Sequence, residues 1–357
     1  MMSCRDFARA ATLVLGLFGA ADGALAWTLD SWNPPFSYDS PKAVLEYAPV
    51  DRAVRPWRLC ASYPHLKDSY WLSVNYGMVE EAKRLGVALR VVEAGGYPNL
   101  ERQRGQIEAC VNEGADALIV GTVSYDGLTD LVERLATHLP VVAAVNDIDN
   151  RGIAAKSGVS WVDMGHAIGA YFAAMHPKGS TPVRVAWFPG PRGAGWVGFV
   201  ERGFQAAMAE SSAEIVVTKW GDTGTEIQLL LIEEALEEHP DIDFIIGSAV
   251  TAEAAVGVLQ ARGLTGRIGV LADYFTHAVY RGIKRGKIIA APTDSAVIQG
   301  RLAVDQAVRL LQGDLTVPHA GPRITIMDAA TIDGFDPGSS LAPAWFSPTF
   351  VVEPPPD

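Results

Sequence analysis

The sequence of 357 residues has little cysteine, little positive charge and no long apolar run beyond its N-terminus. Three Cys are too few for a disulfide scaffold, and 49% hydrophobic residues are too many for a disordered chain. Lys and Arg number 29 against 41 Asp and Glu, so the net charge is −12. Nucleic acid and anionic lipid need local positive charge, and we therefore expect neither as a partner. The length favours two domains.

The sequence also lacks the motifs of common catalytic sites. It contains no GxxxxGK[ST], GxSxG, HExxH or SxxK pattern and no cysteine or histidine spacing typical of zinc. The stretch from Gly190 to Gly195 is rich in glycine but has no Lys or Ser/Thr for phosphate. Asp147 and Asp149 lie close together without further metal ligands. We therefore expect no metal, no cofactor and no enzymatic activity.

The N-terminus has the pattern of an export signal. Arg5 and Arg9 supply positive charge, residues 10–20 form an apolar run, and Ala24-Leu25-Ala26 places small residues at a cleavage site. This run is too short to span a bilayer. We predict a signal peptide at residues 1–26 and a mature chain that is not inserted in a membrane.

Two cysteines remain if Cys4 leaves with the signal. Cys60 and Cys110 either form a disulfide that links the first strand of the main α/β pattern to its second helix, or stay as buried free thiols. The spacing along the chain gives no Cα–Cα distance, so both alternatives stay open.

Strands and helices alternate over most of the chain. Residues 27–56, rich in Pro, Trp and Tyr, lack periodicity and predict an extended arm laid over a domain. Strands are predicted, with helices between most of them, at 58–62, 87–92, 117–120, 141–145, 154–159, 183–188, 215–220, 244–247, 268–272 and 288–293. This pattern predicts an α/β fold with two doubly wound parallel sheets of similar size. The Pro-rich residues 333–357 predict a loosely held tail.

Aromatic residues follow the strand ends in both halves. Ligands of open parallel sheets bind outside the carboxyl ends of the strands. The aromatic residues at these positions are Tyr70, Trp71, Tyr97, Trp161 and Tyr274. Several aromatic faces around a small cavity favour a methylated cationic or dipolar group, and indole N–H and phenol O–H groups can donate to an oxyanion. A sugar site would instead pair Asp, Asn, Arg and Gln with several hydroxyls.

Three acidic residues also follow strands. Asp68, Asp273 and Asp294 either add negative potential to the same site or cap the helices that begin after them. The sequence does not decide between these roles.

Two segments are similar to those of a known family. Residues 56–82, PWRLCASYPHLKDSYWLSVNYGMVEEA, and residues 93–97, EAGGY, resemble the TorT family, which has the type I periplasmic binding protein fold. The likeness runs over roughly residues 57–313. It implies two lobes with an interlobe ligand cleft. One lobe comprises residues 57–158 and about 294–318, and the other comprises residues 159–293 and about 319–332.

The resemblance implies a periplasmic receptor for trimethylamine N-oxide (TMAO). Such a receptor signals to a membrane sensor histidine kinase, TorS, through its periplasmic domain and so controls TMAO respiration. The aromatic TMAO pocket of the family carries over to Tyr70, Trp71, Tyr97, Trp161 and Tyr274. Ribose-binding relatives place a polar residue where this chain has Trp161, and this departure weakens a sugar interpretation.

Two other functions are compatible with the sequence. One is a transporter-associated binding protein for a sugar or a quaternary amine, which would share the fold and differ in pocket and partner. The other is a secreted enzyme that uses Asp68, Asp273 or Asp294 as acid and base. No nucleophile or metal motif supports the enzyme.

Overall fold

The computed structural model describes residues 26–354 of the chain. The predicted signal peptide therefore lies outside the described residues except for Ala26. The described chain has the predicted α/β fold, with parallel sheets and helices in two lobes. No helix in this range is long and apolar enough to cross a membrane.

Strands and helices alternate as the sequence predicts. The elements of the first half are β1 (Trp27–Trp32), β2 (Lys42–Tyr47), β3 (Arg58–Tyr63), α1 (Ser69–Leu85), β4 (Ala88–Glu93), α2 (Leu100–Asn112), β5 (Ala117–Val120), α3 (Thr129–Leu135), β6 (Val141–Ala144) and β7 (Ala155–Ser157). The next are α4 (Trp161–Met175), β8 (Val183–Gly190), α5 (Val197–Met208), β9 (Ala213–Trp220), α6 (Thr225–Glu238), β10 (Phe244–Gly247), α7 (Ala249–Ala261), β11 (Gly269–Ala272), α8 (His277–Lys284) and β12 (Ala290–Thr293). The last are α9 (Ala296–Gln312), β13 (His319–Pro322), β14 (Thr325–Asp328) and β15 (Val351–Val352).

The N-terminal lobe is built on a sheet with the order β15-β4-β3-β5-β6-β7-β13-β1-β2. Its six central strands are parallel, and antiparallel strands extend it at both ends. The strand β5 is buried at every position, because helices cover both faces of a parallel sheet. The carboxyl ends of these parallel strands therefore share one edge of the lobe.

The C-terminal lobe has smaller sheets than the N-terminal lobe. Parallel strands form the order β11-β10-β8-β9, and β12 pairs antiparallel with β14. The Ile289 N–H, just before β12, donates to the Val270 carbonyl in β11. The expectation of two sheets of similar size was therefore wrong. The chain passes between the lobes after β7, after β12, after β13 and again between β14 and β15.

The N-terminal arm and one lobe boundary differ from the sequence prediction. Residues 27–56 contain β1 and β2, which extend the large sheet as a hairpin rather than lie over it as an arm. The strand β13, predicted in the C-terminal lobe with residues 319–332, pairs with β7 and β1 in the N-terminal lobe. The positions of β1 and β13 depend on pairing with strands far away along the chain, and local periodicity does not reveal such partners.

The C-terminal residues are packed against the N-terminal lobe, and the prediction of a loose tail was wrong. Backbone pairing joins β15 to β4. The Asn75 side chain of α1 donates to the Thr349 carbonyl at 3.0 Å and accepts from the Thr349 N–H at 2.9 Å. Leu341, Ala342 and Phe346 are buried. These apolar side chains and backbone bonds hold a segment that its proline content alone would leave extended.

Cys60 and Cys110 form a disulfide in the N-terminal lobe. Their Cα atoms lie 6.1 Å apart, and both residues are buried. The bond joins β3, near the middle of the sheet, to α2. The structure thus favours the first of the two alternatives that the spacing left open.

Helices α4 and α5 of the C-terminal lobe cross at two glycines. A Cβ on Gly203 would overlap the Val162 carbonyl oxygen, and a Cβ on Gly165 would overlap the Val200 carbonyl oxygen. These contacts are with backbone atoms, so no side-chain rotation can relieve them. The two helices can approach this closely only because neither residue has a side chain.

We expect Gly203→Ala to lower the free energy of unfolding by about 1–3 kcal/mol, because the helices must separate to admit the methyl group. Urea unfolding measures this change. Gly198→Ala on the same helix is the matched control, since a Cβ at Gly198 would meet no atom of a neighbouring element within 4 Å. Alanine there should be neutral or stabilising by up to about 1 kcal/mol. Equal effects of the two substitutions would contradict the close helix contact.

Candidate functional site

A small cavity lies between the lobes at the carboxyl ends of their strands. It is lined by Asp68, Tyr70, Trp71, Tyr97, Asn146, Trp161, Trp196, Thr223 and Tyr274. The structure thus brings together all five predicted aromatic residues and Asp68. Every lining residue lies at or near the start of a helix or in a loop after a strand.

The N-terminal lobe contributes Tyr70 and Trp71 through the first turn of α1. The Asp68 carboxylate caps this helix, because its Oδ1 accepts from the backbone N–H groups of Tyr70 and Trp71 at 3.1 Å each. The cap fixes the position at which both rings leave the helix. Tyr97 follows β4, and Asn146 follows β6.

The C-terminal lobe contributes residues from four further connections. Trp161 is the first residue of α4, Trp196 directly precedes α5, Thr223 precedes α6, and Tyr274 follows β11. The ring centroids of Trp161 and Trp196 lie 5.5 Å apart, and those of Trp196 and Tyr274 lie 5.7 Å apart. Tyr274 in turn contacts Tyr70 of the other lobe edge to face, with centroids 5.2 Å apart. The rings therefore form a continuous wall across the two lobes.

Hydrogen bonds hold several of these rings in place. The Tyr70 hydroxyl donates to Asp294 Oδ2 at 2.5 Å, and Trp161 Nε1 donates to the Val145 carbonyl at 2.9 Å. The Asn146 amide donates to the Tyr97 hydroxyl at 3.2 Å. Trp196 Nε1 is buried and has no hydrogen-bond partner within residues 26–354. This indole N–H is a donor available at the cavity.

The tyrosines of the cavity stay neutral. Burial raises the pKa of Tyr70, Tyr97 and Tyr274 above the ordinary value, and nearby carboxylates raise it further for Tyr70 and Tyr274. The lining includes one acidic side chain, Asp68, and no basic one. The electrostatic character of the cavity therefore favours a cationic or dipolar solute over an anion.

The three acidic residues have different positions. Asp68 lines the cavity and also caps α1, so both roles weighed for it are compatible with its geometry. Asp294 lies behind Tyr70, where it accepts from Tyr70 and from Gln299, and burial raises its pKa although these hydrogen bonds lower it. Asp294 does not line the cavity.

Asp273 is fully buried next to Tyr274 and is also absent from the cavity wall. Neither of its carboxyl oxygens has a hydrogen-bond partner in the described part of the chain. Burial raises the pKa of this carboxyl well above its ordinary value. The helix α8 is capped by Thr276 instead, so Asp273 does not serve as its cap.

Sequence reasoning missed Trp196, Asn146 and Thr223. Asn146 and Thr223 come soon after β6 and β9, so inspection of the strand ends could have found them, whereas Trp196 lies beyond a glycine-rich turn. The glycine-rich stretch before Trp196 was considered only as a phosphate loop. It is a turn in which the Asp147 N–H of the N-terminal lobe donates to the Gly195 carbonyl at 2.8 Å, and it places Trp196 at the cavity.

Comparison with known proteins identifies close relatives of this chain. Residues 56–329 match the family of periplasmic binding proteins and sugar-binding domains of the LacI family. The periplasmic protein TorT of Escherichia coli (strain K12) is 41% identical over 346 residues, which cover 96% of each chain.

Solved structures are similar to most of the chain. An ABC transporter solute-binding protein from Bradyrhizobium sp. BTAi1 with bound Bis-Tris is 49% identical, with a TM-score of 0.78 over 91% of this chain and 98% of the other. The complex of the TorS sensor domain with TorT has been solved in the presence of TMAO and in the absence of ligand. In each structure one chain is 42% identical to this chain, with a TM-score of 0.75 over 82% of this chain and 99% of the other. The chain belongs to the family that comprises periplasmic binding proteins and the sugar-binding domains of the LacI family, and within it to the TorT family.

Proposed function

We propose that this protein is a periplasmic receptor that binds TMAO in the interlobe cavity and signals to a sensor histidine kinase of the TorS type, and so regulates TMAO respiration. The observation that carries the proposal is the set of aromatic rings, contributed by both lobes, around one small cavity. The complex of a relative with the TorS sensor domain and TMAO supports the same ligand and partner.

The chemistry of TMAO matches the two kinds of group in the cavity wall. Its methyl groups carry the positive end of the dipole, which aromatic faces attract by about 0.5–2 kcal/mol per ring. Its oxygen needs hydrogen-bond donors, because a buried oxyanion without them is costly. The free N–H of Trp196 and the hydroxyl of Tyr97 are suitable donors. The proposed ligand-binding residues are Tyr70, Trp71, Tyr97, Trp161, Trp196, Tyr274 and Asp68, with Asp294 and Asp273 behind them.

A sugar fits this wall less well. Polar side chains at the cavity are limited to Asp68, Asn146 and Thr223 besides the tyrosine hydroxyls and indole N–H groups. Asp68 Oδ1 is already engaged with two backbone N–H groups, and Asn146 donates to Tyr97 and to the Thr122 carbonyl. Few groups remain to pair with several hydroxyls. The family of periplasmic binding proteins to which the chain belongs argues against an enzyme.

A transporter-associated binding protein for an amine is the second candidate. One observation favours it: the Bradyrhizobium relative, described as an ABC transporter solute-binding protein, was solved with bound Bis-Tris. Bis-Tris is a tertiary amine, so an aromatic cavity would suit it for the same reason as TMAO. The two candidates differ in the partner that recognises the ligand-bound protein.

Isothermal titration with TMAO, glycine betaine and ribose tests the ligand. We expect TMAO to bind, because its methyl groups and oxygen match the rings and donors of the cavity. Tight binding of ribose without a response to TMAO would overturn the proposal. Size-exclusion chromatography with the periplasmic domain of a TorS-type kinase then separates the two candidates, since a transport receptor should not co-elute with it.

A further inference from the structure

Two adjacent loops join the lobes at the edge of the cavity. His65 lies in the N-terminal lobe between β3 and α1, and its Nε2 is 3.1 Å from the hydroxyl of Thr223 in the C-terminal lobe. Beside this contact, Lys67 Nζ lies 2.6 Å from Asp222 Oδ2. Thr223 and Asp68, which flank His65 in space, both line the cavity. We call these two residue pairs the interlobe contact.

Separation of the lobes would open the cavity, because most of its rings are buried and they come from both lobes. Tyr70, Trp71, Trp161, Trp196 and Tyr274 are each at most 4% exposed. They belong to both lobes, so rotation of one side chain would not open a path. Separation must break the interlobe contact, because its residues lie on opposite lobes. His65, fully buried in the closed arrangement, then meets water.

The surroundings of His65 disfavour a charged imidazolium in the closed arrangement. Burial is the main cause that lowers the pKa of His65, and Lys67 lowers it further. The carboxylates of Asp68, Asp222 and Glu93 raise the pKa of His65, and Asp68 Oδ2 lies 3.9 Å from His65 Nε2. Burial outweighs them, so the pKa of His65 is lowered overall. The rings of His65 and Tyr97 pack edge to face with centroids 5.4 Å apart, and His65 Nδ1 has no hydrogen-bond partner within residues 26–354.

We propose that His65 is a positioning residue that holds Thr223 against the cavity in its neutral form, so that closure around the ligand releases a proton. The inference rests on the proposed function, since it concerns the ligand-bound, closed state. In the open state water would reach His65, and an ordinary histidine in water has a pKa of about 6.5. Near and below that pH the open state binds a proton more readily than the closed state does. Ligand affinity is therefore full above this pH and declines as the pH falls.

The expected effect follows from the open-state pKa. Between pH 7.5 and pH 5.5 the dissociation constant for TMAO should rise by up to about tenfold, the limit in which the closed state binds no proton. In the same limit, up to about three-quarters of a proton should be released per TMAO bound at pH 6.0, which calorimetry in buffers of different ionisation enthalpy measures on the wild-type protein. A purely structural role of His65 would give neither result.

Two variants complete the experiment. Glutamine can bond to Thr223 but does not titrate in this range, so His65→Gln should bind TMAO with the same affinity at both pH values and release no proton. His138→Gln, at an exposed histidine, should keep the wild-type pH profile. Protonation of TMAO itself in acid would affect all three proteins alike, so the comparison isolates His65.

The outcomes separate this inference from the proposed function. TMAO binding at pH 7.5 that weakens in acid for the wild type and not for His65→Gln supports both. Binding that is equally tight at pH 7.5 and 5.5, or proton release near zero at pH 6.0, overturns the role of His65 and leaves the receptor function standing. Absence of TMAO binding at pH 7.5 overturns the receptor function and the inference that depends on it.

Discussion

Replacing Cys60 and Cys110 together by alanine should lower the free energy of unfolding by about 4 kcal/mol. The disulfide closes a loop between residues 50 apart in sequence, and a loop of this length restricts the unfolded chain by about that amount. Both residues are buried among apolar side chains of the sheet and α2, including Ile107 and Leu118, so the pair also fills space in the core.

Urea unfolding of the oxidised wild type, the reduced wild type and the double variant measures this effect. The reduced protein and the variant should both unfold at a lower urea concentration than the oxidised protein. The comparison with the reduced protein separates the crosslink from the change in packing, because reduction keeps both sulfur atoms. Equal midpoints for the oxidised and reduced proteins would contradict a stabilising disulfide.

The repeating order of strands and helices could be predicted because buried parallel strands appear in sequence as short apolar runs. The strand β5 and its neighbours are of this kind. The hairpin of β1 and β2 could not be predicted, because its place in the sheet depends on pairing with β13, which lies almost the whole chain away. In β1, Asp30 is a buried carboxylate that pairs with Lys42 at 3.3 Å. A charged residue at a buried position interrupts the alternation of apolar and polar residues that would predict a strand.

The aromatic residues of the cavity could be predicted from topology and from the family resemblance together. The carboxyl ends of the parallel strands in the two lobes face one cavity. The predicted aromatic residues that follow these ends therefore come together there, and they are Tyr70, Trp71, Tyr97, Trp161 and Tyr274. Whether an acidic side chain lines the cavity or is buried behind its wall could not be predicted in this way.

Asp273 and Asp294 follow strands just as Asp68 does, yet their side chains are buried behind the wall. Whether a residue after a strand faces the cleft or the core depends on the turn that follows, and here that turn was not evident from composition. Trp196 illustrates the converse, since a glycine-rich turn carries it to the cavity from well beyond the end of β8.

Trp161→Ala should weaken TMAO binding by about 1–3 kcal/mol, or roughly 5- to 150-fold in the dissociation constant. The substitution removes one face of the aromatic wall and the apolar area that the ring would bury against the ligand. The indole N–H already donates to the Val145 carbonyl, so the ring rather than the N–H is the part offered to the ligand. Trp161→Phe should therefore retain much of the affinity that alanine loses.

Isothermal titration measures the change, with thermal unfolding as a check that each variant is folded. Trp345→Ala is the matched control, because this side chain is 70% exposed on the C-terminal segment and does not line the cavity. It removes the same ring and should leave the dissociation constant unchanged. A folded Trp161→Ala protein that binds TMAO as tightly as the wild type would remove Trp161 from the site. The other rings of the cavity, those of Tyr70, Trp71, Tyr97, Trp196 and Tyr274, would then have to enclose the methyl groups.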